Sequence, residues 1–141
     1  KNTDLNDWVT DYIYVGNLNA AYSGRTLCRN NIDSIIDMSS LPGETCLRVI
    51  PFQEGLALKH RCFDHINECI DASTEKRKRV LVHCRDGFSL APTCIIQYLM
   101  VKQNMRLIAA YELVRAKHPV NIRESHQNVL HSEDKLRTKH D

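Results

Sequence analysis

The sequence has no long hydrophobic run, and nowhere does it approach the roughly 18 consecutive apolar residues that a membrane-spanning helix needs. It has no large surplus of either charge, because 19 lysine and arginine residues stand against 17 aspartate and glutamate residues, for a net charge of +2. It contains no internal repeat and no low-complexity stretch. We therefore expect no membrane segment, and neither nucleic acid nor an anionic membrane surface as the main partner.

The cysteines do not form any C-x-x-C pair, which argues against a zinc site. No other cofactor is indicated. We expect most of the thiols to be small buried hydrophobic groups in a reducing compartment, and hence an intracellular protein of the cytoplasm, the nucleus or both. The six cysteines are Cys28, Cys46, Cys62, Cys69, Cys84 and Cys94.

The composition is typical of a soluble globular protein, with 43% hydrophobic and 26% charged residues. A chain of 141 residues can bury a core without disulfides or metals. No linker-like stretch divides it, so residues 1–141 are predicted to form a single domain, expected to be a monomer. The chain begins with Lys1 rather than Met, which suggests a segment of a longer protein.

Strand and helix patterns alternate along the chain, and this alternation predicts an α/β fold with a mostly parallel sheet. Extended structure is predicted for Trp8–Val15, Asp33–Met38, Cys46–Phe52 and Val80–His83. Helices are predicted within Asn19–Asn30 (with a break at Ser23-Gly24) and over Leu58–Ala72, Ser89–Gln103, Arg106–Lys117 and Glu124–Arg137.

The most informative segment is VLVHCRDGFSLAPTCIIQYLM, from Val80 to Met100. In it a buried strand leads through His83 and Cys84 into a short loop containing Gly87, and a helix follows. Successive backbone N–H groups of such a loop and the positive end of the helix together form an anion site. Glycine allows the close backbone approach, and a cysteine facing this field is expected to have a lowered thiol pKa and to act as a nucleophile.

This segment resembles the signature loop H-C-x5-R-[S/T] of the protein tyrosine phosphatases, and its flanks resemble the dual-specificity branch. Further stretches are similar to that family: DYIYVGNLNAA, NNIDSIIDMS, VIPFQE and AAYELVRAKHPVNI. The resemblance covers Trp8 to Leu136. It implies a protein tyrosine phosphatase-like fold, with a central twisted, mostly parallel sheet of about five strands flanked by helices.

Two positions depart from the family pattern side by side. Leu90 stands where the family has its arginine, and Ala91 stands where it has serine or threonine. The arginine's planar fork grips two phosphate oxygens and stabilises the charge of the transition state. The hydroxyl helps the cysteine to leave as a thiolate. Cys84 is therefore predicted to be a vestigial nucleophile.

The resemblance also bears on the general acid, which in the family is an aspartate on a loop upstream of the cysteine. Glu54 occupies the nearest matching place here. It could donate a proton to a leaving oxygen, but its side chain is one methylene longer than that of aspartate, and placement is critical for such transfers. The alternative is a solvated loop carboxylate.

The remaining loop positions are His83, Arg85, Asp86, Phe88 and Ser89. His83 is expected to support the loop by hydrogen bonding, as its family counterpart does, rather than to act as a base. Arg85 could supply part of the missing positive charge. Asp86 would repel a phosphate unless Arg85 pairs with it.

The basic run Lys76–Arg79 has two interpretations: a nuclear-localisation or docking patch, or a solvated turn.

Three functional hypotheses follow. The first is a pseudophosphatase, a regulatory module that binds a phosphoprotein or a signalling partner such as a kinase or phosphatase. The second is a weak or specialised Cys84-dependent phosphatase acting on phosphotyrosine, phosphoserine or phosphothreonine. The third is redox sensing by Cys84 with a second cysteine.

Overall fold

The computed structural model describes residues 6–38 and 60–139. Within these ranges the strands are β1 (Asn6–Trp8), β2 (Ile13–Gly16), β3 (Ile32–Asp37) and β4 (Arg79–His83). The helices are α1 (Leu18–Ala21), α2 (Gly24–Arg29), α3 (His60–Glu75), α4 (Leu90–Lys102), α5 (Leu107–Lys117) and α6 (Glu124–Lys139). The predicted strand Cys46–Phe52 and the candidate acid Glu54 lie outside the described residues.

The strands of the described residues form one sheet in the order β1-β2-β4-β3. β4 is parallel to both β2 and β3, whereas β1 pairs antiparallel with β2. The described part of the chain thus contributes four strands rather than about five. The single extended stretch predicted for Trp8–Val15 is instead a hairpin, because the chain reverses between β1 and β2, where Val9 N donates to Ile13 O over 2.9 Å.

β4 and α4 form the centre of the core. Val80, Leu81 and Val82 are fully buried, as expected of a parallel strand covered on both faces. Every residue from Leu90 to Met100 on α4 is buried as well. Pro92 is tolerated there because the first turn of a helix needs no N–H donor. The loop between these two elements is therefore held at both ends by the most deeply buried parts of the fold.

The predicted break between the first two helices is confirmed. Ser23 precedes α2, and its Oγ accepts a hydrogen bond from Thr26 N at 3.2 Å. Asn17 caps α1 in the same way, accepting from Ala20 N at 3.0 Å. Each cap satisfies a backbone donor that the first turn of the helix leaves without a partner.

The thiols whose surroundings are described are all free. Cys84 and Cys94 are buried, Cys69 is partly buried and Cys28 is exposed, so the expectation of mostly buried thiols holds for some of them only. The described residues contain no cluster of metal-ligating side chains. None of the described helices is both long enough and apolar enough to cross a membrane.

Candidate anion-binding loop

Residues 84–89 connect the carboxyl end of β4 to the first turn of α4. The loop rests on the turn that follows β2. Cys84 N donates to Gly16 O at 3.4 Å, and Leu18 N donates to Arg85 O at 3.1 Å. These bonds place the loop beyond the carboxyl ends of parallel strands, where open α/β sheets bind their ligands.

Gly87 shapes the loop, because its backbone takes a conformation that other residues avoid. Its φ is +83°, and a Cβ built there would lie 3.0 Å from Gly16 O and 3.2 Å from Asn17 Cβ. The position therefore requires glycine twice over, for its positive φ and for close contact with a neighbouring turn. In this conformation the backbone N–H groups of Gly87 and Ser89 act on Cys84 within the loop, and such convergence of N–H groups is what a backbone anion site needs.

Cys84 lies inside this loop, and the residue is only 5% exposed. Ala91 N donates to Sγ at 3.3 Å, and the backbone N–H groups of Gly87 and Ser89 also favour the thiolate. Burial nevertheless dominates and raises the pKa of Cys84, and the nearby Asp86 carboxylate adds to that increase. The predicted lowering of this pKa is therefore wrong, because desolvation outweighs the backbone donors of the loop.

Leu90 is the first residue of α4, and its side chain belongs to the hydrophobic core with only 6% exposure. Ala91 is completely buried beside it. The position that carries a cation in the family is thus filled by an apolar side chain packed inward. Residue 91 has no hydroxyl that could donate to the Cys84 sulfur, and its backbone N–H is the donor to that atom.

Asp86 turns its carboxylate back over the loop. Its Oδ1 accepts a hydrogen bond from Phe88 N at 2.9 Å and lies 3.9 Å from Cys84 Sγ, which can donate to it. An acidic group thus already uses one of the N–H donors of the loop. Arg85 is exposed, and among the ion pairs of the described residues none joins Arg85 to Asp86, so the expectation that an unpaired Asp86 would repel a phosphate applies.

His83 is completely buried at the end of β4, and its Nε2 lies 3.4 Å from Asp37 Oδ1. Burial lowers the pKa of His83, while the Asp37 carboxylate and the Cys84 backbone act in the opposite sense. Neither ring nitrogen makes a hydrogen bond of good geometry to another described residue. The predicted support by side-chain hydrogen bonding is thus not seen in the described part of the chain, whereas the His83 carbonyl accepts from Met38 N at 2.8 Å.

The segment that connects α5 to α6 is hydrogen-bonded to three consecutive residues of the loop, Gly87, Phe88 and Ser89. His118 Nε2 lies 2.6 Å from Gly87 O. Asn121 N donates to Phe88 O at 2.8 Å, and Arg123 N donates to Ser89 Oγ at 2.9 Å. These contacts join parts of the chain that are far apart in sequence: His118 and Gly87 are 31 residues apart, and Arg123 and Ser89 are 34 residues apart.

Two buried histidines, His118 and His126, make further contacts around the loop. His118 Nδ1 lies 2.6 Å from Asp7 Oδ2, so its ring links β1 to the loop. Because Ser89 Oγ accepts from the Arg123 backbone, its own proton is available to His126 Nδ1, 2.6 Å away. The sequence gives no sign that either histidine belongs to the site. The His118-Pro119 pair shows only where a helix ends, and no local pattern around His126 points to the loop.

Comparison with known proteins agrees with this architecture. Residues 13–134 match the family model "Dual specificity phosphatase, catalytic domain". The chain is 30% identical over 120 residues to dual specificity protein phosphatase MPK-4 of Drosophila melanogaster, which covers 79% of this chain and 31% of that protein. The chain thus spans about a third of the length of the curated relatives it matches.

Solved structures show the same fold. A leucine-rich-repeat and phosphatase-domain protein of Entamoeba histolytica superposes with a TM-score of 0.82 at 22% identity, covering 97% of this chain and 95% of that one. The human tyrosine phosphatase-like serine/threonine/tyrosine-interacting protein superposes with a TM-score of 0.74 at 19% identity, covering 93% and 96%. The family-model match, the sheet order and the cysteine loop agree, and the chain belongs to the dual-specificity phosphatase family.

Proposed function

We propose that this domain is a pseudophosphatase: a dual-specificity phosphatase-like module that is inactive or severely impaired and acts in signalling by binding a phosphoprotein or another partner. The observation that carries the proposal is Leu90, an apolar side chain buried in the core at the position of the family's arginine. Without that fork, nothing from residue 90 can neutralise the equatorial charge of a phosphoryl transition state. Removing one such contact costs on the order of 10²–10³ in rate.

The nucleophile supports the same conclusion. A cysteine attacks phosphorus as the thiolate, and the raised pKa of Cys84 leaves less thiolate at neutral pH than an exposed cysteine would have. Asp86 adds a negative charge 3.9 Å from the sulfur, where an incoming phosphate dianion would have to approach. Both effects oppose formation of the phosphocysteine intermediate.

Binding is less affected than turnover. The backbone donors of Gly87, Ser89 and Ala91 still converge on the sulfur, so the loop can offer N–H groups to a phosphoryl oxygen. We expect weak anion binding there and a larger contribution from the surrounding surface. A phosphoprotein, kinase or phosphatase partner and an intracellular monomer fit this role. The human tyrosine phosphatase-like serine/threonine/tyrosine-interacting protein has the same fold, so this fold is compatible with a binding role.

A hydrolysis assay with an aryl phosphate, comparing the domain with its Cys84→Ser variant, tests the proposal. We expect no difference between the two proteins above the background rate. Phosphate release that disappears in Cys84→Ser would refute the pseudophosphatase assignment.

The alternative is a weak Cys84-dependent protein phosphatase in which Arg85 replaces part of the missing charge. The retained convergence of N–H groups on the Cys84 sulfur favours it. It predicts slow hydrolysis that falls in both Cys84→Ser and Arg85→Ala. If Arg85→Ala left such activity unchanged, the charge-replacement mechanism would be wrong.

A further inference from the structure

The end of the sheet opposite the loop carries a group of exposed basic side chains, here called the basic corner: Arg29, Lys76, Arg77 and Lys78. Two turns form it. One follows α2, and the other joins α3 to β4. In the parallel pair β3–β4, Ile32 lies beside Arg79, so the sheet register brings the two turns together. Among the described residues, none of these four side chains takes part in an ion pair.

Arg79 joins the two turns of the basic corner by hydrogen bonds. Its Nη1 donates to Asn30 O at 2.9 Å, its backbone N donates to Asp33 Oδ2 at 2.9 Å, and its guanidinium lies 5.9 Å from the centroid of the Tyr14 ring. Arg79 is thus the structural member of the basic run. The other three members of the run are free to point outward from a braced turn.

The turn itself holds Arg77 in an unfavourable conformation. Lys78 N donates to Ser73 O at 2.9 Å and Arg77 N donates to Thr74 O at 3.0 Å, the bond pair that defines a Schellman C-cap. Arg77 occupies the left-handed position of this cap, with φ of +58°. Glycine is the usual residue there because it has no Cβ to clash. Strain of this kind points to a function for the side chain that keeps it.

We propose that the basic corner is a docking surface for an acidic polypeptide segment of a partner protein. Four exposed cations at the end of a rigid turn are complementary to closely spaced carboxylates. Only Glu75 and Asp33 are acidic next to the corner in sequence, and Asp33 already accepts from Arg79. The 141 residues contain no run of more than two acidic residues, so they supply no acidic stretch that could cover the corner.

A protein segment fits the corner better than a nucleic acid does. A net charge of +2 gives the chain no general attraction for a polyanion, and the cations form one compact group rather than a stripe that could follow a phosphate backbone. Four surface ion pairs of at most about 1 kcal/mol each give a dissociation constant of about 1 mM at the strongest, at low ionic strength. Such affinity suits a secondary contact that adds to binding elsewhere on the same partner.

The test is a titration of the ¹⁵N-labelled domain with a decaglutamate peptide, followed by NMR chemical-shift changes. We expect shifts at Arg29 and at residues 76–78, and none at residues 84–89. Arg77→Gly should weaken binding about threefold, while raising the melting temperature by roughly 3 °C because it relieves the positive φ. A side chain with no binding role would give the second effect without the first.

Two variants serve as controls. Arg77→Lys keeps the charge and the strained backbone, so it should bind as tightly as the parent chain. Arg115→Ala removes one exposed positive charge from α5, far along the chain from the corner, and should not weaken binding.

The docking proposal is overturned by any of three results. These are unchanged affinity in Arg77→Gly, equal loss in Arg115→Ala, or no shifts at the corner with millimolar peptide. Tighter binding of a single-stranded RNA oligomer, lost in Arg77→Gly, would assign the corner to nucleic acid and also refute the proposal. The corner and the loop lie at opposite ends of β4, so none of these results bears on whether the Cys84 loop catalyses hydrolysis.

Discussion

Replacing Gly87 by alanine should destabilise the domain strongly, because the new Cβ is opposed by both the backbone conformation and the space around it. A left-handed conformation costs a non-glycine residue about 1–2 kcal/mol. The Cβ would also lie 3.0 Å from Gly16 O and 3.1 Å from Gly16 C, and backbone atoms cannot swing aside as the end of a flexible side chain could. Overpacking of this kind costs a further 1–3 kcal/mol or so.

The expected loss is therefore about 2–5 kcal/mol of unfolding free energy, a large share of the roughly 5–15 kcal/mol typical of a folded domain. Urea unfolding followed by far-UV circular dichroism would measure it as a lower midpoint with an unchanged slope. The matched control is Gly24→Ala, where an added Cβ meets nothing within 4 Å. That change should be neutral or stabilising by up to about 1 kcal/mol, because Gly24 lies in α2 and alanine favours helix.

The comparison is decisive for the geometry of the loop. A loss below about 1 kcal/mol in Gly87→Ala would mean that the loop does not rest on the turn after β2 as described. A similar loss in Gly24→Ala would show that the domain is sensitive to any added Cβ, and the loss in Gly87→Ala could then not be attributed to the contact with Gly16.

Three further predictions concern the site and the core. Leu90→Arg combined with Ala91→Ser should raise tungstate affinity roughly tenfold or more, because a charged hydrogen bond is restored over an existing backbone cradle; isothermal titration calorimetry that shows no gain would mean that the cradle does not bind anions. Iodoacetamide should alkylate Cys84 more slowly at pH 7 than an exposed cysteine, and Asp86→Asn should speed the reaction by lowering the pKa of Cys84; an unchanged rate would contradict the effect of Asp86. Burial raises the pKa of Tyr98 to about 12. The contribution of Tyr98 to the stability of the fold should therefore be full below pH 10.0, its ordinary pKa, and should be lost as the pH rises toward 12. If this were wrong, absorbance at 295 nm would show the Tyr98 phenol ionising at its ordinary pKa.

Much of the fold could be predicted from local patterns. The apolar run at Val80–His83, bounded by charge and followed by glycine, identified the central strand within one residue. The largely apolar composition of the next segment identified α4 to within one residue at each end. These predictions succeeded because a buried strand and a buried helix each leave their mark in consecutive residues. The hairpin at Trp8–Val15 was missed because β-rich composition does not show where a chain reverses direction.

The candidate site could be predicted in its position but not in its chemistry. The order of Cys84, Gly87 and Leu90 was enough to place an anion loop and to show which charge it lacks. The pKa of the Cys84 thiol was predicted to be lowered, but it is raised. The helix and loop donors that favour a thiolate are local and visible in sequence, whereas the burial that opposes it comes from side chains brought in from other parts of the chain.

The sequence by itself determined the family of folds, the location of the loop and the absence of its arginine, because these depend on residue types at short spacing. Only the tertiary structure decided that Gly87 presses against the turn after β2 and that His118 joins the loop to β1. Hydrogen bonds and desolvation depend on which distant segments meet. That meeting is a property of the packed chain, and no stretch of neighbouring residues encodes it alone.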